Sequence, residues 1–394
     1  MGHHPSYFTF FALSIAEAGA HVVPFCIAPS DFTRRLQHED ISHSSRGRIF
    51  SVNEIQRQPR SVLRPARYRV YHEAFLLFNN LRRALRNWEK TNHKAIDLVF
   101  FACIYDASFE YFNLFQRWFR YPWAGLYLHA RSFRMPGSPI PYSGGQPCPE
   151  KIFQSSTLKS VAVLDDNAVE PIKTITGGKP VIVFPDISSL DLPSNSTEAS
   201  LADKVRLYAA GRPIVSLLGH LQWTKGLDIF TKAAAHPDLK GVFFFMGGEI
   251  SWWQISEEMK YELQKQWEML PNFYGHFQHI LSETTINSII CASSVVCASY
   301  RSFPNSSNIL TKAASFERPI VVSEGYLMAE RVYQYRLGEV IPEGNVDALV
   351  SALSKMLKPE YRVELDKCAL WSKYRKDTSR ESLSARFAEL LASI

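Results

Sequence analysis

The chain has 394 residues, of which 46% are hydrophobic and 21% charged, and its formal net charge is +6. That length exceeds one ordinary domain, so two of roughly 180 to 200 residues are expected, and the balance excludes a disordered chain. A charge this modest admits an anionic substrate or a membrane surface and gives no support to nucleic acid as a partner.

Gly2-His3-His4-Pro5 reads as a strand-to-helix loop feeding a helix over 6–18. A doubly wound domain leads with a buried strand, and none stands ahead of Gly2. The first sheet is therefore expected to be one strand short, or the chain to start late. The stretch 7–28 contains Glu17, Gly19, His21 and Pro24 and lacks a basic leader, so it reads as an amphipathic helix and a strand rather than a signal peptide.

Short apolar, β-branched runs then alternate with helical patterns. Strands are expected at 21–28, 96–103, 123–129, 161–164 and 181–184, and again at 214–218, 242–246, 273–274, 295–298, 320–323 and 339–341. Helices are expected between them, for example at 226–235, 252–269 and 345–357. That alternation means βαβ units and parallel sheets, whose ligands sit at the carboxyl ends of the strands.

Between strands, 57–94 carries ten basic residues against Glu73 and Glu89, with Phe75, Phe78, Leu81, Leu85 and Trp88 at helical spacing. A basic face held against anionic lipid is one reading. A solvated helix face, its arginine stems covering apolar surface, is the other. The break falls at 186–199 (DISSLDLPSNSTEA), after which the strand–helix count restarts. The organisation expected is a first Rossmann-like domain at 1–188, a linker at 189–206, a second Rossmann-like domain at 207–375, and a last helix at 376–394 crossing back to the first domain through Leu383, Phe387, Leu390 and Leu391.

The six cysteines form no Cys-x-x-Cys pair and no zinc spacing, which suits reduced thiols in a cytoplasm. No metal site is expected. Asp165-Asp166 follows the strand at 161–164 and reads as a helix cap.

Two segments carry chemistry. In Val215-Ser-Leu-Leu-Gly-His-Leu-Gln-Trp-Thr-Lys-Gly226 a buried strand ends at Gly219, and Lys225-Gly226 opens a helix. A lysine beside a positive helix N-terminus is where a diphosphate would bind. In Tyr300-Arg-Ser-Phe-Pro-Asn-Ser-Ser-Asn-Ile-Leu-Thr-Lys312, the small residues Ser306, Ser307 and Asn308 precede a helix and would form a second anion site. Capping alone would use the same groups.

These segments, with Phe244-Phe-Met-Gly-Gly248, Ala313-Ala314 and Arg318-Pro319-Ile-Val-Val-Ser323, resemble the C-terminal half of family 4 glycosyltransferases of the GT-B fold, over about residues 210–355. Gly2-His3-His4 and Pro185-Asp186 resemble parts of the same family's first domain more weakly. The resemblance implies two Rossmann-like domains and retaining, metal-independent transfer of a sugar from a UDP- or GDP-linked donor to a glycan or lipid hydroxyl, with no cofactor. It implies Lys225 and His129 as catalytic residues. Gly2, His3, His220, Gly248, Glu249, Ser306, Ser307, Asn308 and Lys312 would bind the donor.

Three positions depart from the family. Its arginine falls on His220, and its two glutamates fall on Pro304 and Lys312. A cation cannot accept hydrogen bonds from ribose hydroxyls, although it could pair with phosphate. A non-catalytic nucleotide-sugar-binding protein of the same fold and a nucleotide-sugar epimerase are the rival readings. The segment 133–149 is the candidate recognition loop for the acceptor.

Overall fold

A computed structural model of the chain describes residues 4–39, 41–55, 66–104, 119–128, 149–193, 200–280 and 282–394. The chain divides into two compact units, His3–Pro185 with Ser379–Ile394, and Asp186–Thr378.

The first unit runs α1 (His4–Glu17), β1 (Phe25–Cys26), α2 (Pro29–His38), β2 (Asn53–Glu54), α3 (Ala66–Asn92), β3 (Val99–Phe101), β4 (Trp123–Tyr127), β5 (Leu158–Val163), α4 (Val169–Thr176) and β6 (Val181–Val183). Its strands form a parallel four-stranded sheet in the order β3-β4-β5-β6 and a separate parallel pair, β1-β2. β4 is buried along its whole length, as a strand covered on both faces must be. Asp165 accepts from the Asn167 N–H and closes the turn that leads to α4, the capping role its position predicts. The expected stripe of α3 is present, with Phe78, Leu81, Leu85 and Trp88 buried while Arg83, Arg86 and Lys90 are exposed.

The second unit contains α5 (Ser200–Ala209), β7 (Ile214–Leu218), α6 (Leu227–Ala235), β8 (Phe243–Gly247), α7 (Glu257–Met269), β9 (Phe273–His276), α8 (Glu283–Ala292), β10 (Val295–Ala298), α9 (Asn308–Ser315), β11 (Ile320–Ser323), α10 (Leu327–Tyr335), β12 (Gly338–Ile341), α11 (Val346–Met356), α12 (Pro359–Cys368) and α13 (Trp371–Asp377). Six parallel strands lie in the order β12-β11-β10-β7-β8-β9, the doubly wound arrangement with the first strand of the unit at its centre. Local chemistry agrees with this outcome: Asn345 caps α11 through the Ala348 N–H, and Ser256 caps α7 through the Met259 N–H.

Helix α14 (Arg380–Ala392) returns to the first unit. Phe387 is fully buried, with ring centroids 5.6 Å from Phe11, 5.0 Å from Phe100 and 4.7 Å from Phe184. Leu383 and Leu390 are buried beside it, and Leu391 is half-buried.

The segment read as a linker at 189–206 is partly structure of the second unit. Helix α5 buries Ala202, Val205 and Ala209, and the Asn287 side chain donates to the carbonyls of Ser189 and Asp191, tying this stretch to α8. Strand β2 was not expected, because Asn53-Glu54 carries no apolar residue. Among the described residues no helix is long and apolar enough to cross a membrane.

Candidate functional site

The site lies in the second unit, where the loops after β7, β8 and β10 converge. β7 ends at Gly219, whose φ of +107° only glycine adopts without strain. The Gly219 N–H donates to the Gly247 carbonyl at 3.0 Å. Gly248, with φ +140°, packs so closely that a Cβ there would lie 1.8 Å from the Gly219 oxygen. The approach continues past the strands, since Leu221 N–H donates to the Glu249 carbonyl and Ser251 N–H to the Leu221 carbonyl, both at 2.8 Å. His220 Nε2 lies 2.7 Å from Ser251 Oγ, so the ring is held between the two loops. Burial lowers the His220 pKa, with Glu249 opposing, which favours the neutral ring. It stands as a hydrogen-bonding group at the position where the resemblance implied an arginine. Glu249 itself is exposed, its carboxylate 4.0 Å from His279 Nδ1.

A short turn, Trp223–Lys225, follows, and Gly226 (φ +72°) starts α6 against the chain after β10. A Cβ at Gly226 would lie 2.7 Å from the Ser299 carbonyl oxygen. Lys225 Nζ sits 3.6 Å from the centre of the Tyr300 ring and 5.2 Å from that of Phe303. Among the described residues it has no ion pair with a carboxylate. The residue keeps part of its surface in solvent, yet burial of the ammonium among these rings lowers its pKa to about 7. The ring faces offer a cation–π contact but no negative charge, which leaves the position open to an anion.

Three residues that sequence reading did not single out lock this loop. Arg301 grips Asp228 of α6 through a two-pronged ion pair, at 2.5 and 2.7 Å, and its guanidinium lies 4.7 Å from the Trp223 ring centre. The Arg301 N–H also donates to the Thr224 carbonyl at 2.7 Å. Planar, bidentate arginine pairs fix geometry as well as charge. With Tyr300, which is fully buried, they hold the β10 loop under Lys225. The pair spans 73 positions of sequence, so no local pattern could reveal it.

Ser306 and Lys312 stand differently from what the sequence implied. The Ser306 hydroxyl donates to the Asp186 carboxylate and accepts from the Arg331 guanidinium, while Arg331 Nη1 lies 3.3 Å from Asp186 Oδ2. Ser306 thus braces the start of this unit, and its hydroxyl is already engaged. Ser307 occupies the N-cap position of α9 without a side-chain cap bond, Asn308 begins the helix, and the Leu310 N–H of the first turn donates back to the Ser307 carbonyl at 2.9 Å. Lys312 is fully buried, with its ammonium 2.7 Å from Glu283 Oε2, 2.6 Å from Asn287 Oδ1 and 2.7 Å from the Ser189 carbonyl. All three of its donors are used within the unit. Burial lowers its pKa and Glu283 opposes the shift. Gly2, His3, His129 and most of 133–149 lie outside the described residues.

No family model matches the chain, and no curated protein matches it. Solved structures do. HepE of Anabaena, solved with UDP and glucose, aligns with TM-score 0.67 over 100% of this chain and 96% of its own at 14% identity. Sucrose-phosphate synthase of Thermosynechococcus elongatus aligns with TM-score 0.67 over 97% of this chain and 91% of its own, at 16% identity. WaaG, a glycosyltransferase of lipopolysaccharide biosynthesis, aligns with TM-score 0.56 over 99% and 96%, at 14% identity. The chain has the two-domain α/β fold of these GT-B glycosyltransferases.

Proposed function

We propose that the protein is a glycosyltransferase that takes a nucleoside-diphosphate sugar into its second unit, with the diphosphate at Lys225, and transfers the sugar to a hydroxyl acceptor. The observation that carries this reading is Lys225 itself, a desolvated ammonium with no carboxylate partner among the described residues, at the carboxyl end of the central strand β7. A group so placed gains from any anion that replaces its lost water. The amino end of α6 adds positive potential at the same point.

As the bond from sugar to phosphate breaks, negative charge builds on the departing diphosphate. A protonated Lys225, already oriented by Tyr300 and the Arg301–Asp228 pair, meets that charge without reorganising. His220, held by Ser251, is within the same loop and can donate to or accept from the donor according to its tautomer. We take the transfer as retaining and independent of metal and cofactor, and the acceptor as a glycan or lipid hydroxyl. HepE, solved with UDP and with UDP-glucose, supports UDP as the first nucleotide to try before GDP. The exposed basic side of α3 supports peripheral contact with an anionic membrane from the cytoplasm.

One observation favours a second reading, binding without turnover. The position to which resemblance assigns a ribose-binding glutamate is here the buried internal brace Lys312. A panel of UDP- and GDP-sugars, assayed for nucleoside-diphosphate release beside binding by calorimetry, separates the two. Transfer predicts release from one donor and a loss of about 10²- to 10³-fold in kcat/KM for Lys225→Ala. Nucleotide bound with no release across the panel favours the second reading, and no binding at all sinks both.

A further inference from the structure

The loop after β10, which lies under Lys225, is held from a further direction. Its residue Ser302 has φ +45°, in the left-handed region that a residue with a Cβ enters at a cost. Ser302 stands between Arg301, whose N–H donates to the Thr224 carbonyl next to Lys225, and Phe303, whose ring centre lies 5.2 Å from Lys225 Nζ. The Ser302 N–H donates to Glu343 Oε2 at 2.9 Å, across 41 positions of sequence. A carboxylate acceptor makes such a bond charge-assisted, roughly twice as strong as a neutral one.

A tight turn presents Glu343. β12 ends at Ile341, and the Asn345 N–H closes the turn on the Pro342 carbonyl at 3.3 Å, with Gly344 at φ +77° in its third place. Asn345 then caps α11, so the turn is fixed where the helix starts. Glu343 is exposed, and among the described residues its second oxygen, Oε1, meets no cation and no donor. The carboxylate is thus anchored through one oxygen and open through the other. It lies at the carboxyl edge of the same parallel sheet whose central strand carries the Lys225 loop.

A diphosphate at Lys225 has a nucleoside on one side and a sugar on the other, and both carry hydroxyl groups whose protons need acceptors. Lys225 and the amino end of α6 supply donors only. Strand order supplies a carboxylate on each flank of β7: Glu249 follows β8 on one, and Glu343 follows β12 on the other. The ring of His279, half-exposed beside Glu249, offers a base a flat partner. The nucleoside is therefore assigned to that flank and the sugar to the flank of Glu343. We propose that Glu343 accepts hydrogen bonds from hydroxyls of the donor's sugar ring and so helps to select that sugar. The inference rests on the placement of the diphosphate at Lys225. It gives the site an acceptor that the β10 loop itself lacks at Pro304, where the resemblance implied a glutamate. A site built to bond a hydroxyl discriminates strongly against a sugar that does not present one.

Calorimetry with UDP, UDP-glucose, GDP and GDP-mannose compares the wild type with Glu343→Gln and Glu324→Gln. Glutamine keeps a carbonyl oxygen for the Ser302 N–H, while the open position loses its charge and gains donors. Glu324 is exposed after β11 on the same flank, and among the described residues its side chain has no bond to the β10 loop, so it reports general charge. Glu343→Gln should weaken the better-bound sugar nucleotide at least about tenfold and leave the matching nucleotide bound no more weakly. Glu324→Gln should change each by less than about twofold. An equal loss for the nucleotide alone overturns the proposal, because the carboxylate would then face the ribose or merely prop the loop. It is also overturned by sugar nucleotides bound alike by wild type and Glu343→Gln, by an equal loss in Glu324→Gln, or by a wild type to which neither sugar adds affinity over its nucleotide. In each of those cases nucleotide binding by the wild type leaves Lys225 in its role. No nucleotide bound at all removes both readings.

Discussion

Lys225 has a pKa of about 7 against an ordinary 10.5, and burial alone accounts for the shift. The folded chain holds this proton less tightly than the unfolded chain, so between those values unfolding takes up protons. The free protein should therefore gain stability as pH rises from about 7 toward 10.5. A bound diphosphate reverses the bias by favouring the charged lysine. Above pH 7.5, where a terminal phosphate with a pKa of about 6 is ionised, UDP binding should take up a proton, and affinity should fall by up to about tenfold per pH unit. Calorimetry in two buffers of different ionisation enthalpy reads that uptake directly. In Lys225→Ala the uptake and the pH slope should both vanish. His220 lies in the same loop but is already neutral there, so it should not supply the slope.

Lys312 makes the opposite case, a cation whose partners are all internal. Lys312→Met leaves the half-buried Glu283 without its counter-charge and should cost about 3 kcal/mol in urea unfolding of the second unit. Adding Glu283→Gln removes the stranded charge and should recover at least half of that loss. If the single substitution is stable and instead weakens nucleotide binding, Lys312 is a donor ligand after all.

At the scale of elements, legibility followed burial. β7, β10 and β11 are buried at every position, so each appears in sequence as a continuous apolar run with turn signals on either side. β1 keeps two residues of the strand expected at 21–28, whereas β2, Asn53-Glu54, is short and has no apolar residue, which leaves no periodicity to read. The lysine of the β7 loop was legible because loop and helix start are adjacent in sequence. Its holders Tyr300 and Arg301 arrive from the loop after β10, Arg301 73 positions from its partner Asp228, and carry no local mark. The internal partners of Ser306 and Lys312 were not legible for a related reason. Their partners come from three separate places, Asp186, Arg331 on α10, and Glu283 with Asn287 on α8, and only the fold brings them together. The last helix was legible through its apolar spacing, and its value can be tested. Phe387→Ala empties a site among Phe11, Phe100 and Phe184 and should cost about 3 to 5 kcal/mol. Exchange should accelerate in β3 and β6, while β7 to β12 are unchanged.

Across the whole molecule, among the described residues, the strands of the second unit form one sheet of six while those of the first form a sheet of four and a pair. The second has its central strand, and its three converging loops are fastened by glycine approaches, a two-pronged ion pair and backbone bonds. Preorganisation of that kind lowers the cost of ordering a bound ligand. The first unit has two strand blocks around an open apolar slot. A ligand that binds only the folded form stabilises by about 2.7 kcal/mol at a hundred times its dissociation constant, and that gain appears in the unit that binds it. UDP at such a concentration should therefore slow exchange in β7, β8 and the first turn of α6 by up to about a hundredfold, and leave β3 to β6 as they were. The effect should disappear in Lys225→Ala. Protection confined to the first unit would move the nucleotide site out of the second unit, and the assignment of Lys225 would fall with it.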